Sequence, residues 1–557
     1  MTTTSPAGPR MPSPEVQASI DAAVDRLRVG ASAWAERTPA DRRALLLDVR
    51  AAVGVLAPEW ARVAAASKGI APRHPLAGEE WLAGPYAALV ALDAYAGTLD
   101  AIAHGRSPLH AIRFGAAPGG RTVVRTSPLS AIDRLLLSGY TTEVWLEPGV
   151  TAGQATDAAG LASRHPSGPG GVGLVLGAGN VTSIPFLDVL YELLANGRVA
   201  LLKVNPTQDA LIPVFERVFA PLIAPGFVQI VRGGGDVGAY LTGHPGIDHV
   251  HITGSESTFR AIARSGLRVP ITAELGGVSP VIVVPGRWSR ADLRYQAEHV
   301  ATMRLHNSGH NCIAAQVVLL SEDWDQREDF ERELRAAFAR TPKRPVWYPN
   351  ADARLEQVRA AYPDAVWSAG GTRAIVDGGG EVETTELFAP VLGVVRLSGA
   401  DFLSAAVAYA NERLTGTLGA NVLIDPTTRR QLGSRFEDAV ARLRYGTVAV
   451  NAWTAFGFLT PTATWGAHPG GTVDDCPSGI GIVHNALLLD RVERTVVRGP
   501  FRPFPRSIGR GRFSLLPKPP WFVTSRTGRA VSQGFTRYRV DGDRARLVLT
   551  LVRAFFA

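Results

Sequence analysis

Cys312 lies in the segment NSGHNCIAAQVVLL, where a small, glycine-containing turn leads into an apolar run. A thiol at such a junction can face a cleft while its own backbone N–H stays available to bind an oxyanion. Free cysteines are usually core residues, so this reading depends on the company the residue keeps. Glu274, in TAELGGVSP, follows a strand-like run and precedes two glycines that let backbone approach a ligand closely. A carboxylate there can serve as general base, the more so if burial raises its pKa towards neutrality. Its bland alternative is an exposed loop glutamate. Asn180, in LVLGAGNVTSIP, can donate its amide to a developing oxyanion from the mouth of a parallel strand, or act as an ordinary turn or N-cap residue.

A second set of residues has the character of a nucleotide site. Only four lysines stand beside 54 arginines, so Lys203 at the end of the run LLKVNP is a marked choice, suited to ribose hydroxyls or a phosphate. Gly233 and Gly234 in VRGGGDVG, and Thr253, Gly254 and Ser255 in HITGSEST, place backbone or hydroxyl donors where a strand gives way to a helix. Each match alone is weak. His306 and His310 flank the cysteine and raise a Cys–His hydrolase as an alternative, but a hydrolase leaves the nucleotide-type glycines unexplained. Both are read as channel or turn residues, and Cys476 as structural. Neither cysteine has metal-ligand spacing, and no metal is expected.

The elements that must position these residues follow from periodicity. Helical spacing runs from Pro14 to about Val63, and TVVRTSP and TTEVWLEPG read as strands. From Gly173 short apolar runs alternate with helical stretches, the signature of parallel βαβ crossovers and a doubly wound nucleotide-binding sheet. A second α/β region spans about Arg290 to Val450.

Taken in order, GAGN, LLKVNP, RGGGDVG, ITGS, ELGG, NSGHNC and ELFAP, over roughly residues 40–490, resemble the aldehyde dehydrogenase superfamily. The resemblance implies an α/β fold with a Rossmann-like cofactor domain, an α/β catalytic domain and a small β oligomerisation arm. It implies that Cys312 attacks an aldehyde, that Asn180 and the cysteine N–H hold the alkoxide, and that Glu274 activates water to hydrolyse a thioester. The cofactor, NAD or NADP, is expected on Lys203, Gly233, Gly234, Thr253, Gly254, Ser255, Leu275, Gly276, Glu386 and Phe388. The expected domains are a flexible N-terminus over 1–14, a cofactor domain over 15–130 and 155–285, an arm over 131–154 and 465–490, a catalytic domain over 286–464 and a basic extension over 491–557.

Two departures stand out. Gly-Ala-Gly precedes Asn180 where a Pro-aromatic pair is usual, which points to a reshaped substrate channel and keeps an acylating, coenzyme A-dependent reaction as the alternative. Pro206 stands where NAD-preferring members often carry a glutamate, so cofactor preference stays open, with Arg232 as a candidate helper.

Composition bounds the rest. With 46% hydrophobic and 19% charged residues the chain is globular, and the net charge of +8 is uneven: residues 491–557 carry +12, leaving about −4 on the body. The basic balance therefore describes an appendage, and nucleic-acid binding is not expected. The tail reads as a packing extension, with contact to an anionic membrane surface as the sharper alternative. No apolar segment follows a basic start at the N-terminus, and only two cysteines are present, which points to the cytoplasm. A homo-dimer or homo-tetramer acting on a small aldehyde is the expected assembly; a non-catalytic surface-binding protein of the same fold is the rival from another class.

Overall fold

A computed structural model describes residues 11–166, 168 and 170–556, so most of the N-terminal segment 1–14 lies outside the described residues. The chain opens with α1 (Pro14–Ala35) and α2 (Pro39–Ser67). Both begin on a capping hydroxyl followed by proline: Ser13 accepts from the Val16 N–H, and Thr38 and Asp41 form a reciprocal capping box. A helical run from Pro75 to Ala103 follows, long and apolar enough by composition to cross a bilayer but mostly buried against α2 and the C-terminal helices. Then come β1 (Phe114–Ala117), β2 (Arg121–Ser127) and β3 (Thr141–Leu146).

The alternating segment forms β4 (Val172–Leu176), β5 (Val199–Lys203), β6 (Val228–Val231), β7 (His249–Gly254) and β8 (Ile271–Leu275). They pair in parallel in the order β8-β7-β4-β5-β6, with helices on both faces. Every residue of β4 and β5 is buried, as continuous apolar strands in a covered parallel sheet must be.

The second sheet uses β9 (Ser279–Val283), β10 (Ala315–Ser321), β11 (Val366–Ser368), β12 (Arg373–Asp377), β13 (Val391–Leu397), β14 (Gly419–Leu423) and β15 (Thr447–Val450). Three two-residue strands follow, β16 (Trp465–Gly466), β17 (Gly479–Ile480) and β18 (Ile482–Val483), and then β19 (Val492–Arg498). Its order is β1-β2-β3-β19-β15-β14-β9-β10-β13-β12-β11.

Four expected domain assignments change. The run VPITAELGGVSPVIVV is split at Gly276–Gly277: β8 closes the cofactor sheet and β9 is central in the other, so the domain border falls there and not at 285. The strand TTEVWL and its neighbours β1 and β2 extend the catalytic sheet of their own chain through β19, so the arm begins before residue 131 and residues 114–127 leave the cofactor domain. Of the expected 465–490 half of the arm, β17 instead edges the cofactor sheet on β8. Because β19 is a wholly buried sheet strand, the extension starts after Arg498 rather than at 491.

Beyond Arg498 the chain wraps back over its own body. Helices Gly528–Asp541 and Arg544–Ala554 bury Val531, Phe535, Leu547 and Ala554 against Leu82, Tyr86 and Leu136. Arg539 pairs with Asp133 at 2.8 Å, and Arg502 with Asp292 at 2.9 Å. Phe535→Ala is expected to lower the unfolding free energy by about 3–5 kcal/mol, the cost of an aromatic-sized core cavity, measured by urea denaturation; a change under about 1 kcal/mol would show that the extension is not integral to the core.

Candidate active site

The helix Arg290–Leu305 ends in a turn whose backbone is unusual: Asn307, Ser308 and Gly309 have consecutive φ values of 53°, 56° and 73°. Glycine and, less readily, asparagine tolerate this left-handed region, whereas serine is strained there, so the surroundings must impose the turn. Asn307 is its hub. Its backbone N–H donates to the Glu79 carboxylate at 3.0 Å, its amide nitrogen lies 3.0 Å from the carbonyls of both Asn180 and His310, and its amide oxygen accepts from the Trp347 indole at 3.2 Å. Glu79 is ion-paired with Arg344, and Lys68 with Glu80 at 2.8 Å; Lys68 also donates to the Asn180 carbonyl at 3.0 Å. All four charged side chains are buried. Their mutual pairing offsets the loss of water that would otherwise expel them.

This turn delivers Cys312 to a cavity of about 770 Å³, its open mouth included, which Cys312 and Asn180 line together with His306, Tyr140, Trp453, Phe456, Trp465 and Trp521 among others. Asn180, 6% exposed, donates one amide hydrogen to the His310 carbonyl at 3.0 Å and keeps the other for a ligand. Glu274, at the buried end of β8, accepts from the Trp465 indole at 3.2 Å and lies within hydrogen-bonding reach of the Cys312 thiol. Burial, reinforced by the Asp188 carboxylate, pushes the Glu274 pKa up to about 7, against the pull of Trp465, Cys312 and His251. The Cys312 thiol is pushed well above its ordinary value by burial and by the nearby Glu274 and Glu386 carboxylates, with its own backbone N–H pulling down. Asp188 stays ionised despite burial, because His251 and His484 flank it, the latter at 3.1 Å.

The histidines beside the nucleophile are not its base. His310 shares a 2.7 Å hydrogen bond between Nδ1 and the Phe388 carbonyl, Nε2 faces the Tyr348 N–H at 3.4 Å, and burial holds the ring neutral by lowering its pKa to about 3. His306 lines the cavity, packed edge-on against Trp453 at 5.0 Å.

The nucleotide-type residues gather at the carboxyl ends of the parallel strands, where α/β folds bind ligands. Lys203 closes β5, and burial lowers its pKa while Asp209 and Asp236 oppose this. Gly233 and Gly234 lead into the helix Gly235–Thr242; Gly254 ends β7, and Ser255 caps the helix Glu256–Arg264 by accepting from the Thr258 N–H. Thr253 departs from expectation. Its hydroxyl donates to Asp188 at 2.9 Å and is buried in the network behind Glu274, so it does not offer itself to a cofactor. The Leu275 N–H is likewise taken, by the Ser478 carbonyl at 2.8 Å.

Glu386 comes to rest directly on Gly276, where a Cβ would lie 2.0 Å from its Oε1. That oxygen is buried without a hydrogen-bond partner among the described residues, and burial raises the carboxyl pKa to about 8. An orphaned acceptor beside a glycine cradle fits a ribose hydroxyl, so the residues present suit a dinucleotide. Phe388 lies beside it in a left-handed conformation, φ 46°. Past Pro206, Arg232 and Asp209 form an exposed pair at 3.4 Å.

Sequence reasoning missed the buried pairs under the turn, the Asp188–His251–His484 group, and Tyr140 and Trp521 as cavity walls. Faint signals existed: Lys68 is one of the four lysines, and Glu79–Glu80 sit in otherwise apolar text.

Fold and site together give a doubly wound α/β protein with a cysteine thiol set against a buried carboxylate. Residues 147–345 match the model of the aldehyde dehydrogenase family. That segment, about a third of the chain, is similar to the aldehyde dehydrogenase family. A coniferyl aldehyde dehydrogenase of a Pseudomonas species is 34% identical over 170 residues, 29% of this chain and 34% of that protein. The chain spans about a third to a half of the length of the curated relatives matched first. Among solved structures, an NADP-dependent glyceraldehyde-3-phosphate dehydrogenase of Bacillus halodurans complexed with NADP aligns with TM-score 0.59 and 19% identity, over 87% of this chain and 91% of that one. A mutant aldehyde dehydrogenase C of Pseudomonas syringae, with NAD+ and octanal, aligns with TM-score 0.59 and 18% identity, over 88% and 90%.

Arg344→Met leaves Glu79 buried and unpaired beneath the turn. It is expected to destabilise the protein by about 3–5 kcal/mol in chemical denaturation; a loss below about 1 kcal/mol would show that the ion pair does not hold the turn.

Proposed function

We propose that the protein oxidises an apolar aldehyde to its carboxylic acid with NAD or NADP, through a thioester on Cys312. The observation that carries this reading is the meeting of Cys312 and Asn180 in one aromatic-walled cavity, with Glu274 against the Cys312 thiol and the Trp465 indole of that wall, and Glu386 in its glycine cradle alongside. Glu274 takes the thiol proton, and the thiolate sulfur forms a bond to the carbonyl carbon. The alkoxide that results meets the free amide hydrogen of Asn180 and the backbone N–H of Cys312. Lys203, Ser255, Gly233–Gly234 and Glu386 would hold the dinucleotide. Its contribution when bound is acceptance of one hydride, the two-electron oxidation that the conversion requires. Once Glu274 has released the thiol proton to solvent it takes a proton from water, whose oxygen bonds to the acyl carbon and displaces the Cys312 thiolate, releasing the acid.

A base poised near neutrality supports water as acyl acceptor over coenzyme A, whose transfer gains nothing from a carboxylate aimed at water. The exposed Arg232–Asp209 pair leaves NAD and NADP both admissible, the carboxylate suiting a 2′-hydroxyl and the guanidinium a 2′-phosphate. A cytoplasmic homo-dimer or homo-tetramer belongs to the same reading, with both cysteines unpaired as suits a reducing compartment. The tail's second reading, contact with an anionic membrane, is favoured by the exposed Val548, Leu549, Val552 and Phe556, which Arg544, Arg546 and Arg553 flank on the same helix.

Cys312→Ser is expected to abolish aldehyde-dependent cofactor reduction, and Glu274→Gln to slow steady-state turnover by about 10²–10⁴. Only the ionised carboxylate is a base, so wild-type turnover should be lost as pH falls through about 7, the pKa of Glu274, and Glu274→Gln should lack this limb. Unchanged turnover in Cys312→Ser would refute the reading, and acyl-coenzyme A as the main product would replace hydrolysis with acyl transfer. Sedimentation of the protein alone and with phosphatidylserine vesicles checks the assembly and the tail: a monomer, or vesicle binding that survives Leu549→Asp with Val552→Asp, contradicts them.

A further inference from the structure

Three walls of the Cys312 cavity come from parts of the chain that share nothing else. Tyr140 precedes β3, Phe456 belongs to the short helix after β15, and Trp521 comes from the C-terminal extension. Tyr140 and Phe456 stack face to face, with centroids 4.5 Å apart and planes 12° apart. Trp521 stands edge-on to both, at 5.8 Å and 71° to Tyr140 and at 6.1 Å and 65° to Phe456. Among the described residues neither the Trp521 indole N–H nor the Tyr140 hydroxyl has a hydrogen-bond partner, so an otherwise apolar corner retains two polar groups.

The position of Trp521 is held from both sides. Lys518 pairs with Glu298 at 2.8 Å, the Val523 N–H donates to Thr302 at 3.2 Å, and Thr524 donates to Glu298 at 2.9 Å. The Phe522 ring stacks on Tyr295 and His299, at 5.2 and 5.1 Å. Every one of these partners lies on the helix Arg290–Leu305 that runs into the nucleophile turn. The extension is thus splinted to the element that carries Cys312, while the indole remains partly open to the cavity.

The geometry points to an arene subsite: Tyr140, Phe456 and Trp521 hold the flat ring of an aryl or arylalkenyl aldehyde, and the C-terminal extension is part of the substrate site. Mixed face and edge contacts reward a ring through its quadrupole as well as its area, whereas an alkyl chain gains from area alone. Oxygen substituents on the ring have the Trp521 and Tyr140 groups to meet. This deepens the aldehyde-oxidation reading and rests on it.

The test compares kcat/KM for cinnamaldehyde and octanal in the full-length protein and in Trp521→Ala, Trp521→Leu and Trp521→Phe. The cinnamaldehyde-to-octanal ratio is expected to fall on the order of tenfold in the alanine and leucine variants, and to return to within about threefold of wild type with phenylalanine. Equal losses for both aldehydes, or leucine serving as well as phenylalanine, would overturn the subsite. Should wild type oxidise no aldehyde, the reaction assignment fails on its own, and calorimetric binding of cinnamate still decides the subsite. Affinity roughly tenfold weaker in Trp521→Leu than in Trp521→Phe supports it, and equal affinity rejects it.

Discussion

Cys312 depends for its place on a turn that the turn's own residues resist. Three successive left-handed residues before Cys312 are held by Glu79, Arg344, Trp347 and the carbonyls that Asn307 reaches. Lys68, Glu79, Glu80 and Asn180 come from the cofactor side of the molecule, and Asn307 and Arg344 from the catalytic side. The interactions that fix the turn therefore also join the two domains at the cleft. Buried ion pairs are poor sources of net stability, but each partner left alone is costly, which makes the joint specific rather than strong.

The charge pattern around the sulfur follows from that closure. Burial raises the proton affinity of Glu274, Glu386 and Cys312 alike, and the two carboxylates raise that of the thiol further, as Glu274 does that of Glu386. Asp188, kept anionic by His251 and His484, sets the field from behind and holds Glu274 near neutrality. Thr253 is drawn into this network by its hydroxyl. That hydroxyl, one of the donors expected to face a cofactor, is spent on the Asp188 carboxylate instead.

Much of this was legible in the text of the chain. Continuous apolar runs separated by helical periods read as parallel strands, and β4 to β8 appear where they were expected. Cys312 and Asn180 line one cavity with Glu274 against the thiol, Lys203 and Ser255 stand at strand ends, and Glu386 rests on Gly276. The misreadings share a cause. Whether TTEVWL joins a partner or its own sheet, and whether residues 492–498 are tail or core, depends on which distant strand lies alongside, and local pattern carries no such information. His310 shows the same limit, since its neutrality follows from burial that outweighs the opposing pull of the Phe388 carbonyl, 78 positions away.

By itself the sequence determined the period of each element and the chemical types available at the strand ends, because both are properties of near neighbours along the chain. The tertiary structure alone decided which charges lose water and which walls meet. Glu79 and Arg344 are 265 positions apart, and Tyr140 and Trp521 further still, yet the first pair holds the turn and the second closes the cavity. Desolvation and aromatic contact act through space, and only the folded chain brings those residues within their reach.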